Sequence, residues 1–201
     1  MTDLEDISTP SDGRVARRER NIEAVLDAVL EMFGEESLFP TIEQAASRSG
    51  LSLRSVYRYF ADPGELLEAA IKRSFEIGLE AAHLPAIGQG PFGQRVDEFV
   101  AMRMRLIEVV GPIYRATVAN AARLPAIRDE LARTRNLFRE QFELQFAPEL
   151  SARRTSERAA ALSAGDLLTQ LDSVDYLRRQ RQLSVVETES VLRSALHSLL
   201  D

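Results

Sequence analysis

The chain has no cysteine, no tryptophan, a single lysine (Lys72) and only two histidines (His83 and His197) among its 201 residues. Without cysteine there can be neither a structural disulfide nor a thiolate zinc site. The two histidines stand far apart and show no metal-ligand spacing. No metal and no other cofactor is expected. No apolar run is long enough to span a bilayer, so no membrane partner is expected. The N-terminus opens with Asp3, Glu5 and Asp6, in place of the basic and apolar regions of a signal peptide. A cytoplasmic address is the expectation. There is no Ser/His/Asp order and no phosphate-binding glycine loop, and the nearest approach to general-acid chemistry is the pair Asp172 and Asp175. An enzyme is not expected. Hydrophobic residues make up 45% and aromatics 6%, a balance that permits a core and one or two small domains.

The informative stretch is residues 41–67, TIEQAASRSGLSLRSVYRYFADPGELL. Thr41 followed by Gln44 forms a capping box that starts a short helix. Ala45 and Ala46 let a second helix cross closely. Gly50 supplies the left-handed residue that ends the first helix, and Ser52 caps the next. In that next helix Val56 and Phe60 share one apolar side, while Arg54, Ser55, Tyr57, Arg58 and Tyr59 occupy the others. From Gln44 to Ala61 there are three arginines (Arg48, Arg54 and Arg58) and no carboxylate. A short helix of guanidiniums, hydroxyls and phenols suits a phosphate-lined major groove. The pattern is a helix-turn-helix. The net charge of −6 does not oppose this, because docking responds to patches within about 8–10 Å at physiological salt. Arg54 and Arg58 are the candidates for bidentate pairing with guanine. Ser55 reads a base edge or a phosphate, and Leu53 touches a thymine methyl or packs. Free N–H groups beside Thr41 could hold a phosphate as well as a cap.

Residues 17–67 resemble the TetR family of bacterial repressors, on Val56-Tyr57-Arg58-Tyr59-Phe60, a polar turn and Glu65-Leu66-Leu67. The resemblance covers about a quarter of the chain. It implies phosphate contacts from Tyr57 and Tyr59, a palindromic double-stranded DNA operator, and a small-molecule effector bound in a C-terminal domain. It also implies a homodimer formed through the last two helices. Members often carry a phosphate-gripping lysine where this chain has Pro63. Here Asp62-Pro63-Gly64-Glu65 reads as an N-cap, a first-turn proline and an acidic third position.

The whole chain reads as all-α, with about nine helices. Residues 1–13 are acidic and without apolar period, and are expected to be a disordered arm. Residues 14–83 form the helix-turn-helix domain with its connecting fourth helix, and residues 84–201 form a helical bundle for ligand binding and dimerisation. The first helix is expected from about Val15 to Phe33, ended by Gly34, with Ile22, Val25, Leu26, Val29, Leu30 and Phe33 on one face. Arg14, Arg17, Arg18 and Arg20 at its start either reach phosphates or stay solvated. Pro85, Gly88, Gly90 and Pro91 mark the domain boundary. Pro112, Pro125 and Pro148 divide the bundle into helices near 91–110, 112–123, 125–146 and 152–181, followed by one begun by the capping box Ser184–Glu187.

Two features of the bundle call for partners. Segment 152–181 is apolar on several sides (Leu162, Leu167, Leu168, Leu171, Val174 and Leu177), and the last helix has a stripe of Val185, Leu192, Ala195, Leu196 and Leu199. One buried face can serve the chain's own core and another a second copy. Arg103 falls in the middle of the apolar arc Val96, Phe99, Val100, Met104, Ile107 and Val110. A charge there must be paired, solvated or part of a site. The alternatives are an ion pair with Asp172 or Asp175, a snorkelling arginine, or a polar anchor in a ligand cavity. That cavity would be lined by Phe75, Met102, Met104, Ile107, Tyr114, Phe138, Leu168 and Tyr176, with Asp172 beside them.

Overall fold

A computed structural model describes residues 10–36, 40–122 and 125–201. Among the described residues there are ten α-helices, one π-helical turn and no strand. The chain divides into two compact units, Met1–Arg73 and Ser74–Asp201. The division falls inside the fourth helix, ahead of the proline- and glycine-rich loop at 85–91 where the sequence suggested it.

The first unit contains α1 (Pro10–Glu36), α2 (Ile42–Ser49), α3 (Leu53–Tyr59) and the first half of α4 (Pro63–Ala81). Helix α1 starts earlier than its apolar pattern suggested, because a proline at the first helical position forgoes only an N–H that would be unpaired there anyway. Residues 10–13 of the expected arm are therefore helical, and residues 1–9 lie outside the described residues. Gly34 does not end α1, which continues to Glu36. The core is built from Val25, Leu26, Val29 and Phe33 of α1, Ile42 and Ala45 of α2, Val56 and Phe60 around α3, and Leu66, Leu67 and Ala70 of α4, all buried. Ile22 and Leu30 of the expected α1 face are half-buried.

The second unit continues from α4 into α5 (Phe92–Asn120), α6 (Pro125–Gln145), α7 (Ala147–Ser151), α8 (Thr155–Thr169), α9 (Leu171–Asp175), a π-helical turn (Tyr176–Gln180) and α10 (Val185–Leu200). Helix α5 is central and packs against α6, α9 and α10. Pro112 does not break it. The N–H that proline lacks would have bonded the carbonyl of Glu108, whose residue is exposed, so that carbonyl can turn to water. Burial of α5 on both sides of the proline outweighs its cost of about 3 kcal/mol. Segment 152–181 is not one helix either. Gln170 is extended (φ −63°, ψ 150°) and separates α8 from α9.

Four phenylalanines tie α5 to α6 and α7. Phe99 stands 5.8 Å from Phe142 and 5.3 Å from Phe146 between ring centroids, and Phe92 stands 6.3 Å from Phe146. Arg95 is buried beside them. Its Nη1 donates to the Gln145 carbonyl (2.7 Å) and to Glu149 Oε2 (2.9 Å), and its Nη2 pairs with Glu149 Oε1. In α10, Leu192, Leu196 and Leu200 are buried within the chain's own fold, so this part of the stripe serves the internal core. No helix among the described residues is long and apolar enough to cross a membrane.

Candidate functional site

The helix-turn-helix assembles through local hydrogen bonds that the sequence spells out. Thr41 Oγ1 accepts from the Gln44 N–H (3.2 Å), and Gln44 Oε1 accepts from the Thr41 N–H (2.8 Å). Gly50 has φ 71°, a left-handed conformation that a side chain would strain. It lets the chain turn within two residues into the Ser52 cap. There Ser52 Oγ accepts from the Ser55 N–H at 3.2 Å, and the two hydroxyls lie 2.9 Å apart. Helix α4 starts as cleanly. Asp62 Oδ1 accepts from the N–H groups of Gly64 (2.7 Å) and Glu65 (3.0 Å), and Glu65 Oε2 accepts from the Ala61 N–H (2.7 Å). Those amides are thus occupied, and Pro63 brings no cation. This helix start therefore offers no phosphate grip.

Helix α3 turns Val56 fully inward and leaves Arg54, Tyr57 and Arg58 exposed. Leu53 is 41% exposed, so part of its side chain is covered and part is open to solvent. Arg58 Nη2 donates to the Tyr59 hydroxyl (3.0 Å), which also accepts from Asn21 Nδ2 of α1 (3.1 Å). The Arg58 and Arg18 guanidiniums lie 5.2 and 5.8 Å from the Tyr59 ring centre. The Asn21 and Arg58 hydrogen bonds hold the Tyr59 phenol below its ordinary pKa. With both lone pairs occupied, its O–H remains a donor, directed by α1 as well as α3. Arg14, Arg17, Arg18 and Arg20 of α1 are all exposed.

Two features of this face differ from the linear pattern. Arg48 is engaged by acids of α1. Its Nη1 and Nη2 meet Glu35 at 2.9 and 2.6 Å, with Glu31 at 3.9 Å. The hydrogen bonds from Arg48 pull the Glu35 carboxyl below its usual range. The face is also not free of acid in space, because the Tyr57 hydroxyl donates to Glu43 Oε1 at 3.4 Å. Glu43 is lowered chiefly by its own backbone N–H at the helix start.

Of the suggested cavity residues, Arg103, Met102 and Phe138 lie together, and Tyr114 and Asp172 lie together elsewhere. Arg103 is wholly buried, with its guanidinium 4.6 Å from the Phe99 ring centre and 4.7 Å from that of Phe138. It does not pair with Asp172 or Asp175. Asp172 Oδ2 instead accepts from the Tyr114 hydroxyl (2.7 Å) and Arg135 Nη2 (2.8 Å), while Asp175 Oδ1 accepts from Arg115 Nη1 (2.9 Å). Burial, and then the Asp172 carboxylate, push the Tyr114 phenol well above its ordinary pKa. Arg103 and Tyr114 are eleven residues apart on one helix, roughly 16 Å along its axis. Met104 and Ile107 are buried, Phe75 and Leu168 half-buried, and Tyr176 is 53% exposed. Among the described residues no group of three His, Asp or Glu could hold a metal ion. The residues that the sequence did not single out are Asn21, Glu43, Arg135 and Gln141. Their partners lie fourteen or more positions away, beyond the reach of helical spacing.

No protein-family model matches the chain, and no curated protein does. Solved structures do. A Rhodococcus sp. protein assigned to the TetR family of transcriptional regulators superimposes with a TM-score of 0.72 at 17% identity, over 90% of this chain and 100% of that one. A transcriptional regulator from Rhodococcus sp. Rha1 gives 0.67 at 17% identity, over 91% and 95%. This is the fold those two regulators share. The match runs over about nine-tenths of this chain, so the all-α architecture is shared with both.

Proposed function

We propose that the chain is a DNA-binding transcriptional regulator, a ligand-responsive repressor that acts as a homodimer on a palindromic operator. The observation that carries the reading is α3 itself. Arg54, Tyr57 and Arg58 are exposed around a fully buried Val56, in a helix positioned by two capped turns. The shared fold of the two Rhodococcus regulators supports it. In this reading two copies of α3 enter successive major grooves, roughly 34–36 Å apart. Arg54 and Arg58 face base edges, and Tyr57, Tyr59, Ser52, Ser55 and Thr41 face the backbone. The arginines of α1 supply positive charge that Pro63 does not. An effector bound in the second unit shifts the DNA-binding equilibrium, a coupling typically of about 1–3 kcal/mol.

Selection from random duplex DNA tests this. A palindrome should emerge, and failure to enrich any sequence would refute DNA-specific function. On the selected site Arg58→Ala should weaken binding by about 1–3 kcal/mol and relax preference at one or two positions. Tyr57→Phe should weaken binding evenly across sequences, as a lost backbone contact does.

Glu43 gives a prediction of opposite sign. Its carboxylate sits against the hydroxyl of exposed Tyr57, which in this reading faces the DNA backbone, where it repels phosphate. Glu43→Gln should tighten binding to random-sequence DNA by a few-fold at low salt, and the gain should fade as salt rises. Filter binding at two salt concentrations reads both effects.

A further inference from the structure

Among the described residues of the second unit, Arg103 is a buried charge with no ion-pair partner. Arg103 has none of its surface exposed, yet all its hydrogen-bond partners are neutral. Nη1 donates to Gln141 Oε1 (2.8 Å) and lies 3.7 Å from Met102 Sδ, and Nη2 donates to the Phe138 carbonyl (3.1 Å). Its Nε–H has no partner among the described residues. Burial pushes the group down to about 9, with the more distant Asp166 acting against the shift. Asp166 is already engaged by Arg139 Nη1 (3.3 Å) and by the amide of Gln170, whose own Oε1 is buried without a partner. Asp172 and Asp175 are taken by Arg135 and Arg115. None of these three carboxylates is paired with Arg103.

A buried ion costs several kcal/mol unless it is well paired, and an apolar side chain of similar volume commonly does as well or better for stability. A guanidinium kept here without an acid is hard to explain by stability. It is explained by an anion that arrives from outside the chain. The apolar groups against the guanidinium (Phe99, Met102 and Phe138) set the rest of that molecule as apolar. Phe138 is the half-buried one of the two rings covering the guanidinium.

We propose that Arg103 anchors the carboxylate of a small apolar monoanion, and that Gln141 relays its arrival to the end of α4. Gln141 accepts from Arg103 through Oε1 and donates through Nε2 to the Ala82 carbonyl (2.8 Å), directly after the last residue of α4. A carboxylate competes with that amide oxygen for the same donor, and it brings a full negative charge and a bidentate geometry that the amide oxygen lacks. Gln141 is released, and with it a restraint on the helix that begins at Pro63, four positions beyond α3. The relay rests on the reading of the chain as a DNA-binding regulator; the anion site does not.

The test uses acid and amide pairs on the full chain: benzoate with benzamide, phenylacetate with phenylacetamide, and hexanoate with hexanamide. At least one acid should raise the melting temperature while its amide does not, and calorimetry should show Arg103→Met binding that acid about 10- to 100-fold more weakly. Amides that match their acids, or acids that leave the wild type unmoved, overturn the site. Unweakened binding in a folded Arg103→Met does so too. Should Arg103→Met not fold, the wild-type acid and amide comparison still decides. Gln141→Met should keep acid binding and lose the acid's effect on DNA release. If the acid binds through Arg103 without altering wild-type DNA affinity, the relay is wrong and the site stands. DNA selection that enriches nothing while the acid still binds through Arg103 defeats only the regulator reading.

Discussion

Gly165→Ala should destabilise the second unit by at least about 2–3 kcal/mol and lower the melting temperature by about 5–10 °C. Propensity alone predicts the reverse, because glycine inside a helix is roughly 1 kcal/mol worse than alanine. Packing reverses the sign. A Cβ on Gly165 would overlap the ring of Phe142, meeting its Cζ, Cε1 and Cε2 together. That ring has nowhere to go. It is fully buried, with its centroid 4.9 Å from Phe146 and 5.8 Å from Phe99. Interiors are packed at crystal-like density, so either the phenylalanine cluster shifts or α8 lifts from α6. Denaturant unfolding followed by circular dichroism gives the cost. Gly165→Ala combined with Phe142→Leu should recover part of it, with a coupling energy of about 1 kcal/mol or more. A Gly165→Ala chain that melts at or above the wild type would show that α8 does not sit on this ring.

What the sequence reveals here is what neighbours within one turn decide. Both capping boxes, the left-handed Gly50 and the inward pair Val56 and Phe60 depend on residues three or four positions apart, and each is found as spelled. The wheel also places Arg103 correctly, in the middle of an apolar arc and with no exposed surface. Its partners are another matter. Gln141 and Phe138 come from α6, and which helix lies over a given face is decided by the whole bundle.

The same limit explains the other departures. Arg48 lies in a linear segment without a carboxylate, yet α1 presents Glu31 and Glu35 to it. Pro112 is a strong local signal for a helix end, and burial of α5 on either side overrides it. The break at Gln170 has no glycine or proline to announce it. In α10 the wheel shows an apolar stripe and stays silent on its partner. The structure assigns Leu192 and Leu196 to the chain's own core, which moves the question of a second copy to other residues.

Leu167→Glu together with Val191→Glu should yield a folded monomer whose operator affinity is lower by on the order of 10²–10⁴-fold, the loss expected when two linked half-sites act singly. Helices α8 and α10 pack against each other, and each has an outward side. On α8, Ser156, Ala160, Ser163 and Leu167 follow one another at helical spacing, all exposed, opposite the buried Leu162 and Gly165. In a chain with 28% charged residues, an exposed stripe without a single charge suits a second helix better than water, and its small side chains allow close approach. On α10, Ser190, Val191, Ser194 and Ser198 are likewise exposed. Leu167 is 68% and Val191 43% exposed, so glutamate at either should change the stability of the monomer by no more than about 0.5 kcal/mol. Leu192 and Leu196, at 1% and 0%, would instead unfold it, and that contrast separates assembly from folding. Light scattering gives the mass, a thermal melt confirms the fold, and titration with the selected operator gives the affinity. Ser163→Arg offers an independent route to the same monomer, by placing two like charges face to face. A wild-type chain that is monomeric at micromolar concentration, or a double variant that still dimerises, would place the contact between copies elsewhere or remove it.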